Sequence, residues 1–117
     1  MGIVRNLHLD QGIAYKVAGN YDAAMSELKL ALSEEPESTS VHHQLGLVYG
    51  FIGEFDDSIA ELLRAVELDG NNLNARNDLA LSYSMLGMDD DAKAGFEAVL
   101  RMDPKNEVAL KNIIYFR

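Results

Sequence analysis

The chain has no cysteine, so neither a disulfide framework nor a thiolate metal site can be built from it. That absence leaves the redox compartment undecided. Basic residues are scarce: ten Lys and Arg stand against 19 Asp and Glu, for a formal charge of −9 over 117 residues. Such a field repels phosphate backbones and anionic lipid headgroups, so nucleic acid and membrane surfaces are poor partners. A basic partner is favoured on approach. No apolar run has the length of a transmembrane helix. The opening Met1-Gly2-Ile3-Val4-Arg5-Asn6 is not a secretory signal, and it lacks the Ser or Thr that a myristoylation motif carries at the sixth residue. The cytoplasm is the default expectation. Neither a glycine-rich phosphate loop nor a nucleophile elbow is found, so no cofactor and no catalysis are expected.

What the chain does have is a period. Tyr15, Tyr49 and Tyr83 recur every 34 residues, as do Gly19, Gly53 and Gly87. A period of this length marks a stack of helix–turn–helix units. Three units fit without insertion, at about 5–38, 39–72 and 73–106, and a remnant at 107–117 reads as the first helix of a fourth. Within each unit two apolar patterns of helical spacing flank a glycine-centred turn. The first unit predicts helices near 5–18 and 21–33. The buried stripes of the second helices are expected at Ala24, Leu28, Ala31 and Leu32, then Ile59, Leu62, Leu63 and Val66, then Ala92, Phe96, Val99 and Leu100. Pro36 and Pro104 stop the helices before them, because proline lacks the amide hydrogen and restrains its predecessor. No strand-like alternation competes. The prediction is one all-α domain of about seven helices.

These residues resemble the tetratricopeptide repeat. Its signature runs Trp, two residues, Leu-Gly, two residues, Tyr, then Ala, three residues, Phe, then Pro. The chain shows Gln11-Gly12 with Tyr15, Leu45-Gly46 with Tyr49, and Leu79-Ala80 with Tyr83. Farther along stand Ala24 with Leu28, Ser58 with Leu62, and Ala92 with Phe96. The resemblance covers essentially the whole chain and implies an α-α superhelix of three helix–turn–helix repeats plus one C-terminal helix. Gly12, Gly46 and Ala80 sit where paired helices approach most closely, facing Ala24, Ser58 and Ala92.

The tryptophan slot holds His8, His42 and Arg76 instead. A packing or partly exposed role is therefore expected for the histidines. His42 and His43, neighbours on a helix, point about 100° apart and are poorly placed to chelate one metal. Asp56-Asp57 and Asp89-Asp90-Asp91 open second helices, where acids complement the positive helix end.

The resemblance also implies that the first helices line a concave wall that binds ligands. On that wall it places Leu9, Ile13 and Val17, then His43, Leu47 and Phe51, then Asn77, Leu81 and Met85. Two of its rows are wholly apolar, which marks an interface. The expected function is a non-enzymatic interaction module that holds a partner's peptide or amphipathic helix. The slots that would clamp a chaperone's C-terminal carboxylate hold Leu9, Ile13, Gln44, Asn74 and Asp78, which form no cationic clamp. Two alternatives are a self-assembling scaffold unit and an accessory domain of a larger protein such as a glycosyltransferase. Self-association is expected through Leu110, Ile113, Ile114, Tyr115 and Phe116, because a terminal repeat needs a polar outer face.

Overall fold

The computed structural model describes residues 6–116; Arg5 and Arg117, included in the expected units, lie outside them. Among the described residues seven helices follow one another: α1 (Leu7–Val17), α2 (Tyr21–Glu34), α3 (Thr39–Phe51), α4 (Phe55–Leu68), α5 (Leu73–Met85), α6 (Asp89–Met102) and α7 (Glu107–Ile113). A 3₁₀ turn, Ile114–Phe116, closes the described chain. The described residues contain no strand.

Local chemistry sets the helix ends. The side chains of Asn6, Asn20, Ser38, Asn72 and Asn106 accept the amide protons of Leu9, Ala23, Val41, Ala75 and Ala109. Each bond satisfies one orphan donor of a helix start. The N-caps of α4 and α6, Glu54 and Met88, make no such bond, and acids fill the first turns of both helices instead. Gly19, Gly53 and Gly87 turn the three hairpins with φ of 80°, 82° and 73°, where a Cβ would crowd the residue's own backbone.

Helices α1 with α2, α3 with α4, and α5 with α6 pack as antiparallel hairpins, each stacked on the next. Neighbouring odd helices also touch, α1 with α3 and α3 with α5, and no comparable contact joins α2 to α4 or α4 to α6. The odd helices therefore line the inside of the curve. The result is an all-α superhelix of 45 × 34 × 21 Å.

Close approach holds each hairpin together. A methyl group on Gly46 would lie 2.6 Å from Leu62 Cγ and 3.3 Å from the Ser58 carbonyl oxygen; one on Gly12 would lie 2.7 Å from Leu28 Cγ. In the third hairpin the glycine changes sides: Gly95 of α6 faces Ala80 of α5, and a methyl there would stand 2.9 Å from Ala80 Cβ. One expected stripe needs correction. In α4 the buried residues are Ser58, Leu62 and Ala65, while Leu63 is 39 % exposed. They occupy the positions of Ala24, Leu28 and Ala31 one repeat earlier, so helix packing selected the face and local hydrophobicity did not.

Candidate functional site

On the inner wall α3 and α5 diverge around one depression of about 260 Å³. Leu47 and Phe51 line one side, and Leu81 and Met85 the other. Phe55 and Leu62 of α4 close the back, and Asp78 is the only charged lining residue. The volume is below the roughly 300–1,000 Å³ of small-molecule sites. It matches the size of one or two amino-acid side chains.

The floor is polar but internally paired. The Ser58 hydroxyl donates to the Gly46 carbonyl at 2.7 Å and lies 3.0 Å from Ser82 Oγ. Since the Ser58 proton is committed to Gly46, Ser82 donates to Ser58. The acceptor capacity left on Ser82 faces the depression.

The opening exists because of Gly50. A side chain there would meet nothing nearer than Ser58 Oγ at 3.5 Å. One repeat earlier the same position is Lys16, half-buried in the α1–α3 gap, where its ammonium donates to Gln44 Oε1 at 2.5 Å. Burial pushes its pKa below the usual lysine range, and the charge of Asp78 opposes that shift. The first gap on the wall is thus filled and the second is open.

Of the nine residues expected on the wall, Leu47, Phe51, Leu81 and Met85 meet around this depression. Val17, Phe51 and Met85 are 80 %, 57 % and 65 % exposed, and the Phe51 ring rests on Tyr21, centroids 5.5 Å apart. Leu9 and Ile13 are half-buried on α1 and do not line it. His43 spans from α3 to α5, its Nε2–H donating to Asp78 at 2.7 Å. Asn77 is 2 % exposed and donates to Asn106, the cap of α7, at 3.0 Å, so it offers no surface to a partner. Phe55, Ser58 and Ser82 were not among the expected residues. Only Ser58 gave a sequence signal, as a small residue in the close-contact position.

The other histidines are hairpin braces. His8 Nδ1–H donates to Glu27 at 2.6 Å, and Nε2 lies 3.2 Å from Glu34. The Glu27 hydrogen bond raises the His8 pKa above its ordinary value against the opposing effect of desolvation, with Glu34 adding to the rise. His42 repeats the pairing with Glu61 at 2.6 Å, and its Nε2 meets the Pro36 carbonyl at 2.8 Å. In the third unit Arg76 Nε donates to the Gly70 carbonyl at 2.7 Å. Among the described residues, no three His, Cys, Asp or Glu side chains converge to hold a metal. Nor is any described helix long and apolar enough to cross a membrane.

At the C-terminal end, Leu110, Ile114 and Tyr115 are exposed. Ile113 instead joins the core of Ala80, Phe96, Val99 and Ala109, with Phe116 packed against it. The Phe116 ring stacks on Phe96 with centroids 6.1 Å apart.

Two sequence profiles described as tetratricopeptide repeat match this chain, one over residues 39–72 and one over 78–106. No curated protein matches it. The first repeat domain of Spaghetti (RPAP3), solved with the HSP90 peptide SRMEEVD, superposes with a TM-score of 0.90 at 20 % identity, over 94 % of this chain and 87 % of that one. The second such domain of human RPAP3, solved with the HSP70 peptide SGPTIEEVD, gives 0.87 at 21 % identity, over 93 % and 91 %. MamA gives 0.86 at 26 % identity over 91 % of this chain, which spans 62 % of MamA.

Proposed function

Because the chain belongs to the tetratricopeptide-repeat family, we propose that it is a protein-interaction module acting by binding, not catalysis. Its concave wall takes a peptide or amphipathic helix of a partner. The observation that carries this reading is the depression between α3 and α5, where Phe51 and Met85 remain more than half exposed beside Leu47 and Leu81. Apolar side chains left in water around a concavity gain by being covered. Half-burying four of them is worth roughly 3–6 kcal/mol gross, at about 1.5–3 per full burial. Association costs an estimated 4–15 kcal/mol. The apolar seat alone therefore gives weak binding, and tighter binding needs charged or polar contacts around it.

The partner differs in charge from the peptides of the two RPAP3 structures, both of which end in Glu-Glu-Val-Asp. Here Leu9, Ile13, Gln44, Asn74 and Asp78 occupy the clamp slots, and Lys16 is held by Gln44. Asp78 would repel a carboxylate. Selecting ligands from a displayed peptide library tests the proposal. The selected ligands are expected to lose binding to a Phe51→Asp, Met85→Asp variant of unchanged helical signal. Ligands that bind that variant as well as the parent would refute the reading.

A second reading rests on the exposed Leu110, Ile114 and Tyr115. This apolar face of the last hairpin position is available to another copy of the chain, which makes the module self-associating as well as ligand-binding.

A further inference from the structure

The acids around the depression are arranged in a way that the helix ends do not explain. Glu54, Asp56 and Asp57 open α4, and Asp89, Asp90 and Asp91 open α6. All six are exposed, and among the described residues no ion pair is formed by any of them. A helix start offers roughly +0.5 of an elementary charge. Three carboxylates per helix exceed that several-fold, so both starts carry net negative charge.

The α4 start adjoins the depression through Phe55, and the α6 start follows its rim in the chain, with Asp89 and Asp90 lining a separate hollow beside Lys93, Tyr115 and Phe116. Phe55, which closes the back of the depression, lies between Glu54 and Asp56. Met85, on its rim, ends α5, and the Gly87 turn leads directly into the acids of α6. No Lys or Arg occurs between Lys29 and Arg64, nor between Arg76 and Lys93. These two basic-free stretches supply every residue that lines the depression, and Asp78 is the one charge inside.

We propose that the occupant of this wall is a basic amphipathic helix of a partner protein. It seats apolar side chains between Leu47, Phe51, Leu81 and Met85 and lays Lys or Arg along the acidic starts of α4 and α6. This deepens the reading given above and rests on it. The apolar seat supplies the register. The uncompensated carboxylates supply the charge selection and the faster encounter that complementary fields produce. A cationic side chain also reaches down well along this rim, because its alkyl stem can cover Phe51 or Met85 while its head stays at the carboxylates. An acidic helix with the same apolar stripe meets like charge from Asp78 in the seat and from the helix starts that follow Phe51 and Met85 in the chain.

Three labelled synthetic helices of about 18 residues, five turns long, test the inference by fluorescence anisotropy on the full chain. The first has a Leu stripe and a Lys-rich polar face. The second has the same stripe with Glu for Lys. The third has the composition of the first in scrambled order. The first is expected to bind about tenfold tighter than either of the others. Its affinity should fall several-fold between about 0.05 and 0.3 M salt, as the screening length shortens. Phe51→Ala with Met85→Ala should weaken it about fivefold or more. Asp56→Asn, Asp57→Asn, Asp90→Asn and Asp91→Asn together should bring the Lys and Glu helices to within about threefold of each other. Salt dependence and peptide comparison on the parent chain decide the matter even where that fourfold variant folds poorly. If Lys and Glu helices bind the parent equally and both weaken with Phe51→Ala, Met85→Ala, the groove stands and the charge inference falls. Equal binding of the ordered and scrambled Lys peptides would show charge attraction without a seat and overturn it. If no striped helix responds to Phe51→Ala, Met85→Ala, the groove reading falls and takes the inference with it.

Discussion

Replacing Gly46 with alanine isolates the contact on which the middle hairpin depends. The added methyl would stand 2.6 Å from Leu62 Cγ, 2.8 Å from Leu62 Cδ2 and 3.3 Å from the Ser58 carbonyl oxygen. Leu62 is 1 % exposed, so it cannot swing into solvent, and α3 and α4 must separate instead. Overpacking of this kind costs about 1–3 kcal/mol. Against it, alanine in a helix interior is worth about 1 kcal/mol over glycine. The control is Gly50→Ala in the same helix, which gains the same propensity and meets only Ser58 Oγ at 3.5 Å. The difference between the two variants therefore reports the clash alone, about 1–3 kcal/mol. With an unfolding entropy near 2.1 cal/mol/K per residue, each kcal/mol shifts the Tm of a chain this size by about 4 °C. Gly46→Ala should thus melt roughly 4–12 °C below Gly50→Ala by circular dichroism. Equal midpoints would refute the reasoning, because they would mean that the helices are not in contact at Gly46.

Leu81 packs on the core of Ala80 and Phe96 while Met85, one turn later, is mostly in water, so Leu81→Asp should cost about 2 kcal/mol or more and Met85→Asp less than about 0.5 in urea denaturation. Equal costs would show that both side chains belong to the wall or both to the core. The His8 pKa is raised in the folded chain, first by Glu27; its contribution is full below about pH 6.5 and is lost as pH rises through the folded value. His8→Gln should therefore flatten that loss in a pH series of melting temperatures, and an unchanged slope would show that the pair carries no linkage. Ile114→Lys with Tyr115→Lys should lower the apparent mass seen by light scattering at high concentration, whereas Phe116→Lys should lower stability through its contact with Phe96. A mass unaffected by the first pair would remove the C-terminal face as a self-association surface.

The 34-residue period was sufficient to read the helices, the turns and the close contacts of the first two hairpins, but not the third, where Gly95 takes the close position against Ala80. Each turn needs a backbone that only Gly19, Gly53 and Gly87 adopt without strain. Each close contact needs a small residue, and those requirements are written as residue types at fixed spacing. Register alone aligned Val17, Phe51 and Met85 in one row, and all three side chains are exposed. Choice of helix face was not legible in the sequence where it depended on neighbours. Ile59 and Leu63 are more hydrophobic than Ser58, yet α4 turns Ser58 inward because its hydroxyl finds Gly46 and Ser82 and because only a small side chain fits against α3.

Tertiary structure alone decided which part of the wall is open. Lys16 and Gly50 are equivalent by register, and nothing local indicates that one fills its gap by reaching Gln44 while the other leaves a depression. It likewise removed Asn77 from the wall, since the neighbour that covers it, Asn106, lies 29 residues away. Local spacing determines helices and turns because their hydrogen bonds and steric limits act within a few residues. A cavity is the space that several distant side chains fail to fill, and it becomes definite only when the helices that bear them have packed.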